Sequence, residues 1–317
     1  MNEGLMKNGS FWMPSQASTF APGIDVLYDF IFLLSVVLFV VLFVVTAYFI
    51  IKYRRKTDDQ LAVAQIIDND ALELTWTLIP LGLVMLLFVW GFNSYLGMTV
   101  PPSDAMDIKV TSKKWNWQFD YPEKKITTFG DLTVPVDTPI RLVMSSQDVI
   151  HSFFVPNLRI KQDSMPNRYT TVWFQATKVG RFQIFCAEYC GDAHSDMLGN
   201  LIVLSKKDYE KWLDNGGPST AGMSLTDLGQ RVYQTQCSAC HSIDNSPKTG
   251  PTFKGLYGKL TQTSAGAVKA DENYLRESIV DPMAKIVTGY PAGMITFAGI
   301  LKDREIDGVI EYIKTLK

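Results

Sequence analysis

The chain has 317 residues, 47% of them hydrophobic, and charges that almost cancel at a formal net of −2. That length calls for two or three domains, and the near-neutral balance leaves no basic stripe of the kind nucleic-acid recognition needs. All three histidines and all four cysteines fall in three short stretches, DVIHSF, CAEYCGDAHSDM and CSACH, which points to a metalloprotein with two separate redox centres.

In chain order, residues 1–22 form a polar lead containing Met, Phe and Trp, expected on the external side against the membrane or a partner. Residues 30–51 carry no charge, and neither do residues 74–103. Each run is long enough to cross the roughly 30 Å hydrocarbon layer as a helix. A transmembrane hairpin is therefore predicted over 23–98, with spans at about 28–51 and 75–97. Lys52, Arg54, Arg55 and Lys56 directly follow the first span, so the positive-inside rule puts residues 52–70 in the cytoplasm and both ends outside. A cleaved signal peptide would carry its basic residues before the apolar run, the reverse of what is found. Pro80 lies inside the second span, where neighbouring helices can satisfy the freed carbonyl.

From residue 105 the pattern changes to short runs rich in Val, Ile, Phe, Trp and Thr: DIKVTS, WNWQFDY, IRLVMSS, SFFVP, YTTVWFQA, GRFQIFC and NLIVLS. Pro, Gly and Asn/Asp punctuate them, as expected for strands of a β-sandwich with Greek-key connections, here assigned to 99–208. DNGGPSTAG has flexible-linker composition and places a linker within 209–222. Residues 223–317 read as all-α. Ser224 and Asp227 form a capping-box pattern, and Ile306, Val309, Ile310, Ile313 and Leu316 share one helical face. Gly229 and Tyr233 are matched by Gly308 and Tyr312, a pairing that lets two helix backbones approach while the rings fill the flanks.

The run from Cys186 to Met197 offers two thiolates, an imidazole and a thioether in one loop directly after a strand, and His151 also sits beside an apolar strand. Zinc sites use Cys, His and carboxylate, whereas thiolate, imidazole and thioether together select copper for electron transfer. A Cys186–Cys190 disulfide is the competing chemistry in an oxidising compartment. A mononuclear blue-copper site would leave one thiol unexplained. CSACH supplies two thiols at the spacing of haem vinyl groups, Cys237 and Cys240, followed by His241 as an iron ligand. For the opposite axial position there are two methionines: Met283 in IVDPMAKI reads as a packing residue, and Met294 in GYPAGMITFAG as the ligand. His–Met ligation raises the haem potential and suits a donor to copper.

On these residues, the stretch from the first span to Leu204 resembles the CuA-containing subunit II of cytochrome c oxidase, and residues 223–317 resemble a class I cytochrome c fused behind it. The resemblance implies a multidomain protein: a two-helix transmembrane hairpin, a cupredoxin-like Greek-key β-sandwich and an all-α cytochrome c domain. It implies that Cys186 and Cys190 bridge two coppers, with His151 and His194 each ligating one. Met197 would be the weak ligand on one copper and the Glu188 backbone carbonyl that on the other. The Glu188 side chain is similar to one that binds a magnesium ion shared with the catalytic subunit. Trp115 matches the aromatic through which electrons reach CuA, and Glu73, before Thr75-Trp76-Thr77, the glutamate at the mouth of a proton path. Met294 matches the axial methionine, although Ile295 stands where the family often has proline.

The implied function is to pass electrons from an external donor, a cytochrome c or an upstream quinol-oxidising complex, through haem c and CuA. The recipient is a proton-pumping catalytic haem–copper subunit I, which works beside other membrane subunits. No catalytic residue is expected in this chain itself, because every histidine is already assigned. The expected location is the bacterial inner membrane, with the N-terminus and both redox units on the periplasmic side. Two alternatives carry the same modules: a CuA-containing nitric oxide reductase, and a free membrane-anchored electron shuttle.

Overall fold

The computed structural model describes residues 9–10, 12–58, 60, 68–218 and 223–317. Residues 1–8 and 11 of the expected lead, 59 and 61–67 of the expected cytoplasmic loop and 219–222 of the expected linker lie outside the described residues.

Two long helices come first, α1 (Ala21–Tyr53) and α2 (Asp70–Thr99). Both are long and apolar enough to cross a membrane, and their side chains face outward along most of their length. Asn69 caps α2 by accepting from the Leu72 amide at 3.1 Å, and Pro80 sits within an unbroken helix. Phe30 and Trp90 meet between the two helices, with ring centroids 5.6 Å apart. The lead is not merely laid on a membrane: its residues 15–20 are built into the sandwich. Ala17 N donates to the Asn157 carbonyl, and Thr177 N donates to the Ala17 carbonyl. Arg159 then clamps the start of α1, donating to both oxygens of Asp25 at 2.8 and 2.9 Å and to the Pro14 carbonyl at 2.7 Å.

Ten strands follow: β1 (Met106–Lys113), β2 (Asn116–Tyr121), β3 (Ile126–Phe129), β4 (Asp131–Pro135), β5 (Pro139–Ser146), β6 (His151–Val155), β7 (Ile160–Ser164), β8 (Thr170–Gln175), β9 (Gly180–Cys186) and β10 (Leu198–Leu204). They form two five-stranded sheets, β3-β2-β1-β5-β8 and β4-β10-β9-β6-β7. Period-two alternation drives the packing: along β5, Ile140, Leu142 and Met144 are fully buried between the sheets while Arg141 points out. Trp117, Phe119, Phe153 and Phe174 fill the centre of the core. Among these strands β3, β4 and β7 have no counterpart in the apolar runs above. Each is four or five residues long, and β7 (IKQDS) is mostly polar; it is a strand because its backbone pairs along β6.

Beyond the sandwich the linker begins later than expected. Residues 209–214 finish a helix, α3 (Lys206–Asp214), whose N-cap Ser205 accepts from the Asp208 amide at 3.2 Å. Tyr209 and Trp212 on α3 stack, and Trp212 meets Tyr121 edge-on at 5.0 Å, so apolar burial holds this segment against the sandwich.

The C-terminal part carries α4 (Leu225–Val232), which runs into a helical turn at Tyr233–Cys237, then α5 (Glu272–Val280) and α6 (Asp303–Thr315). It is not purely helical, because β11 (Leu260–Thr263) and β12 (Gly266–Lys269) form a hairpin between Tyr257 and α5. Ser224 caps α4 through the Asp227 amide at 3.1 Å. Helices α4 and α6 cross with main chain against main chain: a Cβ on Gly229 would lie 1.8 Å from the Gly308 carbonyl oxygen. Tyr233 and Tyr312 pack beside that crossing at 5.6 Å.

Candidate copper and haem centres

Strand pairing assembles the first cluster. His151 opens β6 and Cys186 ends β9, and these strands are antiparallel neighbours with Phe153 opposite Cys186. The Ala187 amide extends the ladder by donating to Ser152 O at 2.9 Å. From there the chain loops through Cys190, makes a 3-10 turn at His194–Asp196, and re-enters the sheet after Met197. Cys186 Sγ lies 3.8 Å from Cys190 Sγ and 3.9 Å from His151 Nδ1. Cys190 Sγ lies 3.5 Å from His194 Nδ1 and 3.9 Å from Met197 Sδ, and Cys186 Sγ is 3.3 Å from the Glu188 carbonyl oxygen. His151 and Met197 have no exposed surface, and both thiols are buried.

These positions fit a thiolate-bridged metal pair. All four cysteines are free. At 3.8 Å both sulfurs of the first pair lie within reach of one ion at a metal–thiolate distance of about 2.3 Å. A soft thioether and two imidazoles flank them, the donor set that favours copper. Asp148 orients the first imidazole, accepting from His151 Nε2 at 2.8 Å and leaving Nδ1 toward the sulfurs. Burial disfavours charge on Asp148, but the bonds from His151 and the Lys114 and Val149 amides outweigh it and hold the carboxyl down to about 2. Burial likewise opposes charge on His151, and its contacts with Asp148 and Cys186 override that and raise it. The two thiols are driven apart: Cys186 is lowered, as His151 and nearby backbone groups overcome its burial, while burial and the Cys186 charge raise Cys190.

The second cluster borders a cavity of about 560 Å³, walled mainly by the helical part and closed on the sandwich side by residues that include Trp115 and Asn116. Cys237, Cys240, His241, Met294, Ile295 and Phe297 are among the residues that line it. Its size falls within the range of cofactor pockets. His241 Nδ1 donates to the Pro251 carbonyl at 2.7 Å, which leaves Nε2 free to ligate, and Phe253 stacks on the ring at 4.5 Å. Gly250 is required here, since a Cβ would lie 2.6 Å from the imidazole Cε1. Burial lowers the pKa of His241 and raises that of both thiols, so the site disfavours charge on all three groups. Met294 packs against the apolar cluster of this segment. Met283 also borders the cavity but is 56% exposed, so the packing role expected for it is not observed.

Trp115 stands between the clusters. Its Nε1 donates to the Cys190 carbonyl at 3.2 Å, and its ring borders the haem-sized cavity. Glu73 lies exposed in the first turn of α2, and Glu188 is exposed at the tip of the thiolate loop; the side chain of neither is drawn into a cluster, although the Glu188 carbonyl borders the first. Sequence reasoning missed Asp148, although it lies one helical turn's worth of residues before His151 in DVIH, and it missed the orienting roles of Gly250 and Pro251 within the TGPTF run.

A sandwich bearing a buried dithiolate–imidazole–thioether cluster, joined to a helical unit with a thiol-lined cavity and to two membrane-type helices, is the architecture of a membrane-type protein with two candidate redox sites. Family profiles match three consecutive stretches. "Cytochrome C oxidase subunit II, transmembrane domain" covers residues 6–94, "Cytochrome C oxidase subunit II, periplasmic domain" covers 125–205, and "Cytochrome c" covers 226–317. The cytochrome c oxidase subunit 2 of Alkalihalophilus pseudofirmus is 30% identical over 299 residues, spanning 90% of this chain and 83% of that protein. That of Bacillus subtilis is 28% identical over 304 residues, spanning 86% and 83%. The solved periplasmic domain of subunit II from Bradyrhizobium japonicum aligns with 37% of this chain and 96% of its own at 30% identity, with a TM-score of 0.36. The chain belongs to the cytochrome c oxidase subunit II family and carries a C-terminal cytochrome c domain.

Proposed function

We propose that this chain takes electrons from an external donor and delivers them to the oxygen-reducing subunit of a haem–copper oxidase. Residues 23–98 anchor it, 99–208 form the copper unit and 223–317 the haem unit. Bound in the two sites, a dinuclear copper centre and a covalent haem supply successive one-electron carriers of high potential. Cys186 and Cys190 would bridge the coppers, His151 and His194 would each hold one, and Met197 and the Glu188 carbonyl would be the weak ligands. Cys237 and Cys240 would attach the haem, and His241 and Met294 would hold its iron.

The chain's own residues prepare both sites. Asp148 fixes the His151 ring, so its Nδ1 needs no reorganisation to bind metal. The Pro251 carbonyl and Phe253 do the same for His241. Trp115 carries the reading: one ring touches the main chain of the thiolate loop and the wall of the haem cavity, which is what a relay between two centres needs. The exposed Glu188 carboxylate is free to share a magnesium ion with the catalytic subunit, and Glu73 at the start of α2 is free to open a proton path there. The basic cluster Lys52–Lys56 supports a periplasmic position for the N-terminus and both redox units in a bacterial inner membrane.

The test is purification of the chain from its native membrane with optical and electron paramagnetic resonance spectra. A mixed-valence dicopper signal, a haem that solvent does not extract, and a co-purifying oxygen-consuming partner are expected. Recovery of this chain without such a partner would overturn the oxidase assignment.

A further inference from the structure

Among the described residues, two polar bridges join the haem unit to the copper unit, and both grip segments of the candidate redox sites. Asn116, next to Trp115, donates from Nδ2 to the Thr235 carbonyl at 2.6 Å and to Gln236 Oε1 at 3.1 Å, in the turn that ends at Cys237. Lys248 Nζ donates to Asp196 Oδ2 at 3.1 Å and to the Ser238 carbonyl at 2.5 Å. Asp196 lies between His194 and Met197 in the thiolate loop, and Ser238 lies between Cys237 and Cys240. A single ammonium therefore ties the CxxCH turn to the loop that carries the copper-type donors.

We infer that Lys248 and Asp196 are positioning residues: an electrostatic latch that seats the haem unit over Trp115 and sets the alignment for transfer between the two sites. The inference rests on the function proposed above. Covalent tethering through the segment after α3 already supplies a high local concentration, so the latch need not supply bulk affinity. Its work is orientation. An ion pair with side chains 25% and 46% exposed is worth about fivefold at most in a docking equilibrium, and salt screens it. Asn116 separately grips the turn that ends at Cys237, so loss of the ion pair leaves a hinge about that contact rather than a free domain.

The test uses the full-length chain, purified with its partners, as four forms: the parent, Lys248→Glu, Asp196→Lys and the charge-swapped double variant. Both side chains are partly exposed, so copper and haem content should match in all four. Each single reversal should slow re-oxidation of the reduced haem by the copper site by about fivefold at low salt. Added salt should speed these two variants, as it screens like charges, and slow the parent. The double variant should recover most of the rate. Independently of redox activity, zero-length carbodiimide coupling of the parent should join the peptides that carry Asp196 and Lys248, as mass spectrometry would read. Parent-like rates in both single variants, a double variant as slow as they are, or no such cross-link overturns the latch and leaves the function standing. A parent whose haem is never re-oxidised through copper overturns both.

Discussion

The indole nitrogen of Trp115 donates to the carbonyl oxygen of Cys190 at 3.2 Å, tying an aromatic ring at the domain boundary to the main chain of the second thiol in the buried cluster. Gly191 makes room for it: a Cβ there would meet the ring at 3.1 Å, and the residue's φ of +116° suits glycine. Replacing Trp115 with Phe keeps a ring but removes a hydrogen bond worth about 1 kcal/mol. The W115F protein should retain its copper and haem yet transfer electrons between them more slowly, and W115A more slowly still. Stopped-flow re-oxidation of the haem, normalised to copper content, checks this.

Asp148 should govern copper retention. Asp148→Asn removes the charged acceptor behind His151 Nε2, a change behind a ligand that lowers metal affinity by about 10- to 100-fold. Competition with a chelator, followed through the copper signal, measures it. Glu at the same position should recover part of the loss by restoring a carboxylate.

The same carboxyl sets an acid limit for the copper-free chain. Its folded pKa, about 2, lies below its ordinary 3.8, so its contribution is fully present above pH 4 and is lost as pH falls toward 2. Solvent reaches this carboxylate and screens its interactions, so the contribution to stability is about 1 kcal/mol or less. Denaturant unfolding of the metal-free protein followed through tryptophan fluorescence should show that loss, and D148N should show a flatter profile across the same window.

At the haem, Met294 and Met283 should separate cleanly. Met294→Leu removes the thioether and should lower the haem potential, since His–Met ligation raises it. Met283→Leu changes a side chain that is already 56% exposed and should leave potential and spectrum at parent values. Redox titration of the two variants distinguishes them.

Gly229→Ala tests the helix crossing. The added methyl would lie 1.8 Å from the Gly308 carbonyl, so α4 and α6 must part, at a cost of about 3 kcal/mol or more. Thermal melting followed at the haem absorbance should shift down, while the copper signal stays intact because the crossing lies outside the sandwich.

The candidate donors of CSACH and of the thiolate loop could be read from the chain because their chemistry is local. CSACH presents both thiols and the imidazole within one turn, and Cys186, Glu188, Cys190, His194 and Met197 share one loop. The two membrane helices were equally legible, since an uncharged run of that length has few other uses. The short strands β3, β4 and β7 were not, because their conformation comes from pairing rather than composition. Residues 209–214 looked like linker for a related reason: Trp212 makes them a packed helix only where Tyr121 is there to receive it.

Thus the order of the sequence alone determined which donors exist, which metals they prefer and how the chain is divided along its length. Tertiary structure decided what those donors meet. It brought His151 to Cys186 across the β6–β9 ladder, put Asp148 behind the imidazole, and set Trp115 and Lys248 between the copper loop and the haem turn. The physical reason is that donor chemistry belongs to single side chains and short spacings. Orientation and approach instead depend on backbone pairing and burial between segments as far apart as Trp115 and Cys190, whose contact no local pattern records.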